Sequence, residues 1–395
     1  AGLQSLDDAR ACFSAEIEGC DVILTKSSAK RARVSSTWLL DHAAQCRHEF
    51  TRQREYLVSR MSCDDPAFRA VGLEDGVLAV SWDRALHSGS PPLSARFSID
   101  ALLRGAHDGP KHPLPDTCRP RPKAWGRGLF QSADCPSARA CDFLTDSGRM
   151  HALTHLRDWG VLKLTGMPST KEETRELVLR IGRPRTTYYG EMWSTRAAAG
   201  QTQGVQDTAY LSVGIKPHTD GTYFRDPPGL QVLNCVSAAQ EGGETLLVDG
   251  QAVVHSLRRT APLSLRFFTE HALPWFSYDD DVRLSQLEPV LRLDAAGDLE
   301  ALRFNEYDRG DLPPGTWYDT VFLPHWRKLV DTINDPANVE RLRLAPGDCV
   351  IVNNQRVMHG RTAFRGGARE MIGCYVDRDE LESRLCVLGL MRMRG

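Results

Sequence analysis

The chain has 395 residues, 41% of them hydrophobic and 25% charged, with a formal net charge of −2. That is an ordinary globular composition, long enough for one large or two medium domains, and the near-neutral charge gives no reason to expect nucleic acid as a partner. No run of 18 apolar residues appears, so no membrane span is expected, and the stretch AGLQSLDDARACFSAEIEG carries no signal-peptide pattern. The 11 cysteines are scattered without disulfide-framework spacing, which points to a reducing, intracellular compartment.

In chain order, strand-like runs are predicted at 21–25 (DVILT), 34–40 (VSSTWLL) and 77–82 (VLAVSW). The EDG before the last run reads as a hairpin turn, because Gly76 can take a positive φ. Residues 1–108 therefore read as a small β-rich N-terminal domain. Residues 109–128, GPKHPLPDTCRPRPKAWGRG, are rich in Pro, Gly and Arg and read as a linker. A larger domain, 129–395, follows. THLRDWGVLKLTG predicts the end of a helix leading into a strand. Ser169 and Glu172 have capping-box spacing for a second helix, with Leu177, Leu179 and Ile181 before Gly182 and Pro184 stop it. Short strands are then predicted at 229–236, 244–250, 291–305, 348–355 and 370–377, with helical inserts at 251–271 and 323–334. Many short strands with Gly, Pro and Asp turns favour a sandwich or barrel, mainly β with helical inserts. There is no internal repeat.

Chemistry concentrates in KPHTDGTYFRDPPG, residues 216–229. If that stretch is extended, His218 and Asp220 face one side and can reach one metal ion. A His-x-Asp turns up by chance about once in a chain this long, so the spacing needs company. An iron-type facial triad takes two imidazoles and one carboxylate and leaves adjacent positions open. The third ligand should come from a distant strand, and His359 stands out. It follows the apolar run CVIVNNQRVM, precedes Gly360 and Arg361, and lies 359 − 220 = 139 residues beyond Asp220. Arg369 then opens another strand. A guanidinium is the bidentate partner of a carboxylate, which an oxygenase with a keto-diacid cosubstrate needs besides its metal.

These residues, with TTYYGEMW (186–193), DTAY (207–210), HTDGTYF (218–224), GLQVLNC (229–235), GGETLLVDG (242–250), LRFNEYDR (302–309), HGR (359–361) and GCYVDRDE (373–380) in that order, resemble a known family. It is the Fe(II)- and 2-oxoglutarate-dependent dioxygenases of the taurine-dioxygenase superfamily. Within it the chain is similar to the γ-butyrobetaine and trimethyllysine hydroxylases, and closer to the latter, over roughly 155–390. The resemblance implies a double-stranded β-helix (jelly-roll) catalytic domain with iron on His218, Asp220 and His359. It implies Arg369 on the distal carboxylate of 2-oxoglutarate, with Thr245 as second contact. Fe(II), 2-oxoglutarate and O2 are the implied cofactor and cosubstrates, and ascorbate is admitted besides. Three protein ligands leave two positions for 2-oxoglutarate and one for O2. The expected outcome is oxidation of an unactivated C–H bond of a small amino-acid-type substrate, with the protein supplying placement and exclusion of water.

The resemblance further implies an aromatic cage for a trimethylammonium group from Tyr189, Trp193, Tyr210 and Tyr375. A quaternary ammonium donates no hydrogen bonds, so ring faces suit it; taken singly, each ring has core packing as the alternative. Asp207 is implied for the substrate α-ammonium, and Asn305 matches a pocket Asn. Two positions depart from the resembled pattern. Gly221 stands where a Thr follows the His-Thr-Asp, and Glu306 stands where an Asn follows the pocket Asn. Both are expected beside the substrate, so its identity stays open.

STWLLDHAAQCRHEFTRQR, residues 36–54, resembles the family's zinc-binding N-terminal segment. Only Cys46 matches a ligand, with Ala43 where another is expected. His42, His48 and His87 could stand in; the alternative is a lost site and a module held by packing, and Cys12, Cys20 and Cys63 have no ligand spacing. Three functional readings remain: a trimethyllysine-hydroxylase-like dioxygenase, a relative that hydroxylates or cyclises a different amino acid, and a catalytically silent binder of quaternary ammonium compounds. The intact triad and Arg369 speak against the last. The resemblance also implies a homodimer, and leaves cytoplasm or mitochondrion open.

Overall fold

The computed structural model describes residues 13–26, 30–51, 53–54, 68–82, 93–105, 120–198, 211–278 and 281–392. The chain divides into two compact units, Ala1–Leu114 and Pro115–Gly395. The boundary falls inside the segment read as a linker, but residues 120–128 are packed into the second unit. Trp125 is buried, its backbone N–H donates to Asp249 at 3.0 Å and its indole N–H donates to the Trp159 carbonyl at 2.7 Å. A Pro- and Gly-rich composition therefore marks irregular backbone here, docked by Trp125 and by backbone hydrogen bonds of Lys123, Arg127 and Gly128 to the rest of the second unit.

The first unit carries two antiparallel three-stranded sheets, Phe13–Glu18, Asp21–Lys26 and Lys30–Ser35, then Phe68–Glu74, Val77–Trp82 and Ser94–Ser98. Asp75 and Gly76 both have positive φ, 46° and 73°, as a two-residue hairpin turn of this hand requires. The expected strand at 34–40 is corrected. It stops at Ser35, whose hydroxyl accepts the Trp38 N–H at 3.1 Å and caps a helix over Ser36–Asp41. Capping by a serine outweighs the weak apolar pattern of the run. The unit's core joins Val22, Leu24, Leu39, Leu40, Leu78 and Trp82, and the buried Ser36 hydroxyl accepts the Trp82 indole N–H at 2.7 Å. Cys46 is buried. His42 donates from Nδ1 to the Trp38 carbonyl at 2.8 Å and stacks on that ring at 4.0 Å, while His48 Nδ1 accepts from the Thr51 N–H. His87, Cys12 and Cys63 lie outside the described residues.

The second unit is organised by two sheets. The larger has the order Ser137–Arg139, Val161–Thr165, Asp348–Asn353, Leu230–Ser237, Ala368–Val376, Trp193–Ala198, antiparallel except for its first pair. The smaller has the order Ile215–His218, Val357–Arg361, Thr245–Asp249, Val339–Leu342, all antiparallel. Period-two alternation explains how the larger sheet is covered on both faces. From one central strand, Cys349 and Ile351 join Leu153, Leu164 and Val178 under the helices Asp146–Trp159 and Lys171–Val178. Val350 and Val352 join Leu247 and Val357 of the smaller sheet in the core between the two.

The capping box is shifted by one residue from its expected place. Thr170 Oγ1 accepts the Glu173 N–H at 3.3 Å and donates to the Glu173 carboxylate at 2.6 Å, so the helix is Lys171–Val178. That phase turns Thr174, Leu177 and Val178 inward. The helical inserts are present as Gly250–Thr260, Pro262–Glu270 and Leu323–Ile333, gathered around Phe268, Trp275, Phe304, Phe322 and Trp326. Not anticipated were the hairpin Ala272–Tyr278 with Arg283–Pro289 and the helix Arg378–Val387.

Candidate active site

His218 and His359 meet because of strand register. Ile215–His218 pairs antiparallel with Val357–Arg361, and His218 is directly opposite His359. Their ring centroids are 4.5 Å apart. Asp220 arrives differently from the extended-segment expectation. The strand ends at His218, and Asp220 lies in the bend that follows. The bend is held by Asn354, which accepts the Asp220 N–H at 2.8 Å and donates to the Asp220 carbonyl at 2.9 Å. The next residue, Gly221, has φ 68°, and a Cβ there would come within 2.6 Å of the Phe224 ring. Backbone conformation thus accounts for the glycine where a threonine was expected.

The two carboxylate oxygens of Asp220 have separate surroundings. Oδ1 is 3.2 Å from His218 Nε2 and 3.6 Å from His359 Nε2. Oδ2 accepts from the Tyr375 hydroxyl at 2.8 Å and from the Gln231 amide. Gln231 and Tyr375 are cross-strand neighbours in the larger sheet, so that sheet clamps the carboxylate while the smaller sheet supplies the imidazoles. Burial opposes ionisation of Asp220, but His359, His218 and the Tyr375 hydroxyl outweigh it and hold the carboxyl below its usual range. Burial pushes His359 down to about 4, which keeps that ring neutral.

This donor set fits a divalent iron ion. His218 donates from Nδ1 to the Lys216 carbonyl at 2.8 Å, which leaves its Nε2 lone pair as the ligand atom. The two imidazoles and the carboxylate offer atoms within 4.8 Å of one another. Two His and one carboxylate match the ligand set of non-haem iron oxygenases.

A cavity of about 340 Å³ opens onto these three residues and is also lined by Arg369, Thr245, Tyr189, Trp193, Asn305 and Tyr375. Arg369 is 9% exposed, and burial lowers its pKa. No carboxylate pairs with it among the described residues. Thr245 Oγ1 is buried without a hydrogen-bond partner among the described residues. A buried guanidinium and a buried hydroxyl, both unpaired, are costly until an anion with acceptor oxygens joins them.

The structure brings together three of the four expected cage residues. Trp193 and Tyr375 lie with ring centroids 5.7 Å apart, and Tyr189 lines the same cavity. The Trp193 indole crosses the backbone of Gly373, where a Cβ would come within 2.0 Å of its ring. Tyr375 has a second task, since its hydroxyl is committed to Asp220. Tyr210 and Asp207 lie outside the described residues. Glu306 is corrected: it is exposed, accepts from the Trp326 indole at 3.3 Å and is absent from the cavity wall. It sits in a turn after Asn305, and the turn sends its side chain outward while Asn305 and Asp308 face the cavity.

Several participants carried no usable sequence signal. Gln231 and Asn354 reach Asp220 across the fold. Tyr223 lines the cavity and shares a hydroxyl contact of 2.7 Å with Tyr188, which contacts Tyr189 in turn at 2.8 Å. Asp308, Tyr223 and Gln231 do fall inside motifs that carried the resemblance, which is the one clue to them.

The taurine catabolism dioxygenase TauD, TfdA family matches residues 138–375. The chain is 30% identical over 371 residues to the mitochondrial trimethyllysine dioxygenase of Rattus norvegicus, covering 91% of this chain and 83% of that one. It is 28% identical to the trimethyllysine dioxygenase of Meyerozyma guilliermondii, covering 91% and 92%. It is also 28% identical to the gamma-butyrobetaine dioxygenase of Pseudomonas sp. (strain AK-1), covering 93% of each chain.

Proposed function

Because the chain belongs to the TauD, TfdA family and is an Fe(II)- and 2-oxoglutarate-dependent dioxygenase, we propose that it hydroxylates an unactivated C–H of a trimethyllysine-like amino acid. The two sheets that share one core are, in this reading, a double-stranded β-helix. His218, Asp220 and His359 hold the iron. The bound metal supplies the oxidising chemistry that the side chains cannot. Arg369 and Thr245 receive the distal carboxylate of 2-oxoglutarate, giving the guanidinium its missing partner. Trp193, Tyr375 and Tyr189 offer ring faces to the quaternary ammonium.

The observation that carries this reading is the joining of the Trp193–Tyr375 pair to the metal ligands in one cavity. Lysine's ammonium keeps three donors that rings cannot satisfy, whereas the trimethylated group has none to lose. Each cation–π contact adds on the order of 0.5–2 kcal/mol. The test is succinate release from 2-oxoglutarate with Nε-trimethyllysine, lysine and small apolar amino acids, in the wild type and in Trp193→Ala. Trimethyllysine should be preferred, and Trp193→Ala should erase the preference. Equal turnover of an amino acid without a quaternary ammonium, insensitive to Trp193→Ala, would sink the reading.

A further inference from the structure

Two histidines face each other on the helix Asp146–Trp159, away from the cavity. The stretch MHALTHL places His151 and His155 four apart, and residues at that spacing lie one above the other on a single helix face. The face is turned to solvent. His151 is exposed and His155 half-buried, while Ala152, Leu153 and Leu156 point into the core. The rings meet edge-on with centroids 4.5 Å apart, and their two Nε2 atoms are 3.1 Å apart. Neither ring makes another hydrogen bond among the described residues.

The separation of the two Nε2 atoms is the one that a shared ion would set. Two nitrogens held about 2.0–2.1 Å from one ion lie about 2.9 Å apart at a right angle and about 3.4 Å apart at the tetrahedral angle. The 3.1 Å between His151 and His155 falls between those limits. Burial and the neighbouring His151 lower the pKa of His155, so that ring keeps a lone pair at neutral pH. Two carboxylates, Asp158 and Asp134, also act on His155, against one cation, Lys123. Asp158 is shared with Arg157 and Lys123. Asp134 is exposed in the loop before Ser137–Arg139 and forms no ion pair among the described residues.

We propose that His151 and His155 form a second metal site, for a divalent late transition ion of the zinc class, with water completing its shell. Imidazole suits Zn2+, Ni2+ and Cu2+, and a given site binds Fe2+ more weakly than these. Without the ion, one ring donates its Nε2–H to the other. Binding needs that proton to move to Nδ1 of the same ring through solvent, which frees both Nε2 lone pairs and leaves both rings neutral. The three residues between the histidines, Ala152, Leu153 and Thr154, include no carboxylate to act as a general base, so the site binds an ion and does not hydrolyse. The larger sheet separates it from the cavity. Val232 and Cys374 pack on the helix side of that sheet, while Leu233 and Tyr375 line the cavity. The ion therefore clamps one turn of the helix and takes no part in the oxidation.

The experiment titrates Zn2+ into the full chain carrying Asp220→Ala, which lacks the carboxylate ligand of the cavity, and into the same chain with His151→Gln or His155→Gln added. Each Gln variant should bind one equivalent of Zn2+ fewer by calorimetry. The same loss is expected in the wild-type background, so the result does not depend on how the altered cavity behaves. Zn2+ should raise the melting temperature of the parent more than that of either Gln variant, because an ion that binds the folded helix stabilises it by mass action. With Cu2+ as probe, the electron paramagnetic resonance signal lost on substitution should be that of an ion with two imidazole nitrogens. His151→Gln with His155→Gln in the otherwise wild-type chain should leave succinate release unchanged. Unchanged Zn2+ stoichiometry in both Gln variants would overturn the proposal and leave the contact as a hydrogen bond between two rings. A lost Cu2+ signal with a single nitrogen would overturn it too, since the ion would not be shared. Lower succinate release from the double variant would tie the pair to the catalytic fold and overturn its separation from the cavity.

Discussion

At the His218–His359 end of the cavity, Asp220 is held by Tyr375, Gln231 and Asn354, whereas Arg369 and Thr245 in the same cavity have no partner among the described residues for the groups they present. His218 follows the first pattern, with Nδ1 tied to a backbone carbonyl. His359 is the exception, since its Nδ1 is buried without a partner among the described residues. The contrast separates two ways of preparing a site. Where geometry must be preset, the fold supplies the neighbours. At Arg369 and Thr245 the donors are left unmatched, as the proposed binding of the 2-oxoglutarate carboxylate would require. Each unmatched buried polar group costs about 1–3 kcal/mol, a cost that binding of the ligand reverses.

The sharpest way to break that contrast is Asp220→Ala. It removes the anionic ligand and frees Tyr375 and Gln231 at once. Succinate formation should fall to background and iron retention should drop, read by metal analysis after gel filtration. Near wild-type succinate from an iron-reconstituted Asp220→Ala protein would remove the triad assignment.

Next in size is Arg369→Ala. The apparent requirement for 2-oxoglutarate should rise about 10- to 150-fold, the loss of a charge-assisted contact, with iron binding retained. Because Arg369 has no ionic partner among the described residues, the metal-free variant should melt no lower than the metal-free wild type. A drop of several degrees would show that Arg369 is part of the scaffold.

Tyr375→Phe tests the clamp. It keeps the ring beside Trp193 and removes only the hydroxyl on Asp220 Oδ2. Iron affinity should weaken about tenfold, the lower end for groups that orient a metal ligand. Unchanged affinity, measured by competition with a chelator, would mean that Gln231 suffices. The smallest effect belongs to Thr245→Val, which removes one neutral hydroxyl. The 2-oxoglutarate requirement should rise about 2- to 10-fold, and metal-free stability should increase slightly because the orphaned hydroxyl is gone. A loss of stability would reveal a partner for Thr245.

The amino-acid sequence by itself was enough to nominate His218, Asp220, His359 and Arg369, because few residue types can ligate iron or grip a dicarboxylate. It was also enough to locate most strands of the second unit, whose apolar runs end in Gly and Asp turns. It misread 34–40, where one serine cap competed with an apolar run, and shifted a capping box where Ser169 and Thr170 offered equal spacing. Only the tertiary structure decided that His218 stands opposite His359, that Gln231 and Tyr375 share one carboxylate oxygen, and that Asp308 faces the cavity while Glu306 does not. The reason is physical. Residue type and local spacing constrain what a side chain can do and which backbone state it prefers. Strand register and turn phase are set by packing between segments more than a hundred residues apart, and a shift of one position in either sends a side chain to the opposite face.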